Sequence, residues 1–114
     1  MASSPVRFTL QWNVRPEQGG VVTSALQSVL VAARREPGCL TCSLATELGE
    51  WVTLRFEETW ETEESMRRYV RSPRFVALAS LMESATEPPR VEFSLQGGIR
   101  GLDYAAEVRE QAST

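Results

Sequence analysis

The chain has no histidine and no lysine among its 114 residues, and only two cysteines. Without histidine it lacks the commonest general base near neutral pH, the commonest metal ligand, and any triad built on an imidazole. Without lysine it cannot form a Schiff base from its own side chains. Cys39 and Cys42 have C-x-x-C spacing, which fits a redox pair or half of a metal site. They fall inside an apparent strand rather than at a helix start, and no second Cys or His pair completes a zinc site, so they read as buried, reduced structural thiols.

Long apolar runs are also missing. None approaches the roughly 20 residues that span a bilayer, so no membrane segment is expected. Met1-Ala2-Ser3-Ser4-Pro5 has no basic segment followed by an apolar one, which predicts no signal peptide and a cytoplasmic location. The formal net charge of −3 argues against a nucleic-acid partner, because phosphate binding needs a clustered basic surface. The one basic cluster, Arg67, Arg68, Arg71 and Arg74, follows Glu61, Glu63 and Glu64, the order that complements a helix dipole.

What is present is a regular alternation of strand and helix signals. Val6, Phe8, Leu10 and Trp12 alternate with Arg7, Thr9, Gln11 and Asn13, the period of a strand. Arg15-Pro16-Glu17-Gln18-Gly19-Gly20 reads as a turn, and from about Val21 the apolar positions Val22, Leu26, Val29, Leu30 and Ala33 recur at helical spacing up to Pro37-Gly38. Cys39 to Thr46 and Trp51 to Trp60 read as two strands of a hairpin around Leu48-Gly49-Glu50. In the second of these, both faces carry large side chains, as in a sheet covered on both sides. Thr62 is placed to cap a short acidic helix, and Ser72-Pro73 to start another through Phe75, Leu78, Ala79 and Met82. Val91, Phe93 and Leu95 mark a fourth strand.

The order strand, helix, strand, strand, helix pair, strand is βαββαβ: an α+β, ferredoxin-like domain with a four-stranded antiparallel sheet and helices on one face. Residues 1–96 are expected to form this domain and 97–114 a C-terminal extension of undefined structure, with Leu102 to Gln111 a candidate helix. If the helices leave the Val6, Phe8, Leu10 and Trp12 face open, burying it is worth roughly 1.5–3 kcal/mol per side chain. A homodimer through the sheet faces follows as the expectation.

Arg35-Glu36-Pro37-Gly38-Cys39-Leu40, Phe56-Glu57-Glu58-Thr59-Trp60 and Ser72-Pro73-Arg74-Phe75 stand in the order and spacing of the antibiotic biosynthesis monooxygenase (ABM) family. The chain resembles these dimeric α+β barrels over roughly residues 6 to 95. The resemblance implies a pocket between helices and sheet, and an oxidation of polycyclic phenols or quinols by O2 without metal, haem or flavin. Haem-degrading members of the family carry an Asn late in the first strand, a Trp ending the third and a His on the following helix. Asn13 and Trp60 match the first two, but the third falls near Ala79 and the chain has no His, so haem ligation is not expected.

On that resemblance, Glu58, Asn13 and Trp60 are the candidate catalytic residues, with Glu58 as base, Asn13 and Tyr69 orienting substrate oxygens and Trp60 stacking on the ring. Tyr69, Phe75, Leu78 and Met82 are the candidate wall for an aromatic small-molecule substrate. Asn13 joins this pocket only if the apolar face of the first strand is turned to a partner sheet. The competing assignment is a non-catalytic ligand-binding or structural homodimer, in which Trp60 and Tyr69 merely pack and Glu58 pairs with Arg55 or Arg90.

Overall fold

The computed structural model describes residues 5–83, 85 and 87–112; the expectation made for the first four residues lies outside them. The elements are β1 (Val6–Val14), α1 (Pro16–Arg34), β2 (Cys39–Leu48), β3 (Val52–Trp60), α2 (Glu63–Val70), α3 (Pro73–Glu83), β4 (Arg90–Leu95), β5 (Gly98–Arg100) and α4 (Asp103–Ala112). They build one antiparallel sheet in the order β2-β3-β1-β4-β5, the ferredoxin-like arrangement with a strand added at one edge.

The sheet has five strands where the sequence pattern predicts four. After β4, Gly98 adopts φ +132, a backbone state open to glycine, and the chain doubles back so that Ile99 pairs with Ser94. The hairpin offers only three residues of strand, too short for an alternating pattern to register. The chain then continues as α4, whose Tyr104, Ala105 and Val108 are buried in the same core as β1.

Helix α1 begins at Pro16, earlier than the apolar spacing suggests, because proline at the first position has its φ preset and no N–H to leave unpaired. Its buried stripe is Gly19, Val22, Leu26, Val29 and Ala33. Gly19 serves close packing here: a Cβ there would sit 3.2 Å from Val52 Cγ2. The caps fall where the sequence places them. Thr62 Oγ1 accepts the Ser65 N–H at 3.1 Å, and Ser72 Oγ accepts the Phe75 N–H at 3.3 Å.

All helices lie on one side of the sheet, and this corrects the expected orientation of β1. Val6, Phe8, Leu10, Trp12 and Val14 point into the helix-covered core and are all buried. The opposite face carries Arg7, Gln11 and Asn13 exposed, with Arg7 paired to Glu57 and, on β3, Arg55 paired to Glu47. The apolar set selects the helices because they supply a ready apolar layer within the same chain. The remaining face is polar, so the apolar argument for a sheet-to-sheet dimer has no basis, and β3 has its Arg55 and Glu57 side solvated in the chain.

The arginine cluster works within the fold. Arg67 bonds Gln111 and pairs with Glu63 at 3.7 Å, while Arg71 Nε donates to the Val108 carbonyl at 3.3 Å. These contacts fasten α4 to α2, aided by the Tyr104 hydroxyl donating to Glu63 Oε2 at 2.7 Å. Among the described residues no helix is long and apolar enough to cross a membrane.

Candidate functional site

Alternation along β3 puts Leu54, Phe56, Glu58 and Trp60 on the core face. Three of these are apolar, and the fourth is, among the described residues, the only charged-type side chain buried with them: Glu58 is 0% exposed. Its Oε1 accepts a 3.0 Å hydrogen bond from Trp60 Nε1, two residues along the same strand. Its Oε2 has no hydrogen-bond partner among the described residues, and neither has the buried Tyr69 hydroxyl. Arg55 and Arg90 pair elsewhere, with Glu47 and Glu92, so neither neutralises Glu58.

The environment sets the protonation of this group. Burial pushes the Glu58 carboxyl up to about 8, with the Trp60 indole N–H pulling the other way and the Tyr69 hydroxyl acting in the same sense as Trp60. Below that pH the residue is a neutral acid inside an aromatic core. The Tyr69 hydroxyl stands near enough to sense Glu58 but outside hydrogen-bond geometry; burial first, and Glu58 second, hold it in the un-ionised form. Leaving a buried polar atom unpaired costs about 1–3 kcal/mol, so two such atoms close together call for a reason.

The surround is aromatic. The Trp60 and Tyr69 rings lie 4.9 Å apart and tilted by 31°, Tyr69 meets Phe75 edge-on at 5.5 Å, and Phe75 meets Phe8 at 5.5 Å. Tyr69 comes from α2, and Phe75, Leu78 and Met82 from α3, all fully buried over the sheet. None of these four side chains lines the larger clefts formed by the described residues. The sequence-predicted wall is present, but its side chains pack against one another.

The two cysteines join this neighbourhood through an irregularity. Cys39 pairs with Trp60 and Thr41 with Thr59, so Leu40 is an extra residue and the strand bulges. The bulge turns both Cys39 and Cys42 to the Glu58 side, where simple alternation would have separated them. Both are free thiols; Cys42 is buried beside Glu58, and burial pushes it up to about 12, while Cys39 is half-buried. Arg34 grips the bulge, with Nε and Nη2 donating to the Cys42 carbonyl at 3.1 and 2.8 Å.

Asn13 is not part of this centre. It pairs across the strands with Thr53, on the face opposite Glu58 and Trp60, and its Oδ1 accepts from Thr53 Oγ1 at 3.0 Å. Glu58, Trp60 and Tyr69 are brought together; Asn13 is left on the open face. The cysteines are the members that sequence reasoning set aside, and only the bulge reveals them. Haem does not fit the residues present: the chain has no His, and Asn13 and Trp60, on opposite faces of one sheet, cannot both face a macrocycle. Among the described residues no group of three Cys, Asp or Glu side chains could hold a metal ion.

An antiparallel sheet covered by helices on one side, with a carboxylate and an indole ending its third strand, defines an α+β, ferredoxin-like domain. The family described as antibiotic biosynthesis monooxygenase matches residues 5–81, and the chain belongs to it. Similar solved structures include Rv0793 from Mycobacterium tuberculosis (23% identity, TM-score 0.68, 79% of this chain and 92% of that one). PA3566 from Pseudomonas aeruginosa is similar at 15% identity and TM-score 0.70, covering 84% of this chain and 97% of that one. A structure described as an antibiotic biosynthesis monooxygenase is 19% identical with TM-score 0.65, covering 77% and 94%. At these identities the likeness is one of fold. No curated protein matches the chain.

Proposed function

We propose that the chain is a monooxygenase that oxidises a phenolic or quinol-type aromatic molecule with O2, drawing the electrons from the substrate itself. The observation that carries this reading is the pair of unpaired buried polar atoms, Glu58 Oε2 and the Tyr69 hydroxyl, set among aromatic rings. A phenol presents one hydroxyl and a flat apolar ring, which would satisfy both atoms and replace aromatic packing with aromatic packing.

In this mechanism ionised Glu58 takes the substrate's hydroxyl proton, and Tyr69 donates to the resulting oxyanion. The phenolate passes an electron to O2, and a C–O bond forms on the ring. A second proton is then lost, the O–O bond breaks, and the products are one carbonyl (quinone) oxygen and one water. The protein's contribution is orientation, deprotonation and exclusion of water. Because the pocket wall is packed shut, α2 and α3 must shift from β3 to admit the ring. The family relationship also supports a homodimer through the open sheet faces, now as a polar contact.

The test is O2 uptake by the purified protein with hydroquinones and anthrones. Glu58→Gln should lower the rate by 10²–10⁴-fold, the usual worth of a general base. The wild-type rate should climb with pH through about 8, where Glu58 ionises. No uptake across such a panel would end the oxidase reading. A second reading, a non-catalytic structural or ligand-binding dimer, draws on the tight packing of Tyr69, Phe75, Leu78 and Met82, which leaves the four side chains fully buried.

A further inference from the structure

The C-x-x-C pair is a motif that the proposed reaction leaves unused. In a regular strand Cys39 and Cys42, three residues apart, would stand roughly 10 Å from each other with side chains on opposite faces. The Leu40 bulge changes both. Cys39 is paired with Trp60 and Cys42 with Glu58, so their Cα atoms are separated by about the spacing of two residues on β3, roughly 6.6–6.8 Å. That is the outer end of the range a disulfide spans, about 4.4–6.8 Å. Cys39 Sγ already leans that way, donating at 3.6 Å to the carbonyl of Thr41, the residue before Cys42.

The two thiols differ in access. β2 is the first strand in the sheet order, with no strand on its outer side among the described residues. Leu40 on the bulge is 53% exposed and Cys39 is half-buried, whereas Cys42 is 4% exposed. A solute therefore reaches Cys39 first. Burial, with Glu58 second, keeps the Cys39 thiol protonated, while Arg34, bonded to the Cys42 carbonyl, draws it more weakly toward ionisation. The thiolate is the nucleophile, so attack at Cys39 is slow near neutral pH.

We propose that Cys39 and Cys42 form a peroxide-sensitive dithiol, which hydroperoxides oxidise to an intramolecular disulfide. The Cys39 sulfur attacks the O–O bond of ROOH, its proton passes to the departing oxygen, and Cys39 sulfenic acid and ROH result. The Cys42 sulfur then attacks the sulfenic sulfur; the S–S bond forms, the S–O bond breaks, and the Cys42 proton leaves in a water molecule. The peroxide gains the two electrons that the dithiol loses. This site stands whether or not Glu58 performs chemistry.

The experiment exposes the full chain to hydrogen peroxide, then unfolds it in the presence of N-ethylmaleimide and measures the intact mass. The expected wild-type product has lost two hydrogens, takes up no maleimide, and regains both alkylation sites after dithiothreitol. Cys42→Ser should instead yield a sulfenic acid at Cys39 that dimedone traps, and Cys39→Ser should keep Cys42 fully alkylatable. Four outcomes would each overturn the proposal: both thiols still alkylated after peroxide, Cys39 oxidised beyond the sulfenic acid with no disulfide, two chains joined through sulfur, or a disulfide that forms only when the chain is unfolded in urea before oxidation.

Discussion

Trp60 Nε1 donates to Glu58 Oε1 at 3.0 Å, so a single strand carries both the buried acid and the group that holds it. Residues two apart on a strand share a face, and here that face is the core. The bond fixes one carboxyl oxygen and leaves the other buried with no hydrogen-bond partner among the described residues.

Stability should fall as pH rises because of Glu58. Its folded value of about 8 lies above the ordinary 4.5, so between these pH values the folded state binds the extra proton. The stabilisation is complete below about 4.5 and is lost as pH climbs through about 8, by at most about 1.4 kcal/mol per pH unit. Urea unfolding at pH 5, 6.5 and 8.5 should show this slope in the wild type and lose it in Glu58→Gln. Parallel slopes for the two proteins would refute the assignment.

Removing the indole N–H should raise Glu58 further. Trp60→Phe deletes the hydrogen bond to Glu58 Oε1, which favours the carboxylate, and it opens space in a fully buried position. A loss of about 1–3 kcal/mol in stability is expected, with the Glu58-linked transition displaced to higher pH. A carboxyl carbon resonance that titrates at the same pH in variant and wild type would contradict it.

Gly38 holds the turn that leads into β2, with φ +92, and a Cβ there would lie 2.4 Å from Ser65 Oγ. Gly38→Ala should therefore cost about 1–3 kcal/mol, from backbone strain together with the displaced Ser65 side chain. Thermal unfolding measures it, and a melting temperature equal to the wild type's would count against the left-handed turn.

Asn13 should prove dispensable to the buried centre. It is exposed on the other face, where its side chain accepts from Thr53. Asn13→Ala is expected to change stability by less than about 0.5 kcal/mol. It should leave any Glu58-dependent O2 uptake at the wild-type rate, and a tenfold loss of uptake would place it in the reaction after all.

Glu58 and Trp60 were legible in the sequence as a pair because period-two alternation needs no tertiary information. The same holds for the caps at Thr62 and Ser72, whose signals are local, and for the βαββαβ order. The β1 pattern fixes that Val6, Phe8, Leu10 and Trp12 share one face and Asn13 the other, yet alternation is silent on which face meets the helices. Only packing decides that, and it turned Asn13 away from the site. Likewise C-x-x-C spacing cannot reveal that Leu40 bulges and brings both thiols beside Glu58, because a bulge depends on the partner strand's register. The three-residue β5 is a local hairpin on β4, missed because it is too short for an alternating pattern to register. Local chemistry wrote the elements and the acid–indole pair; long-range burial chose their orientation, and with it which polar groups were left unpaired.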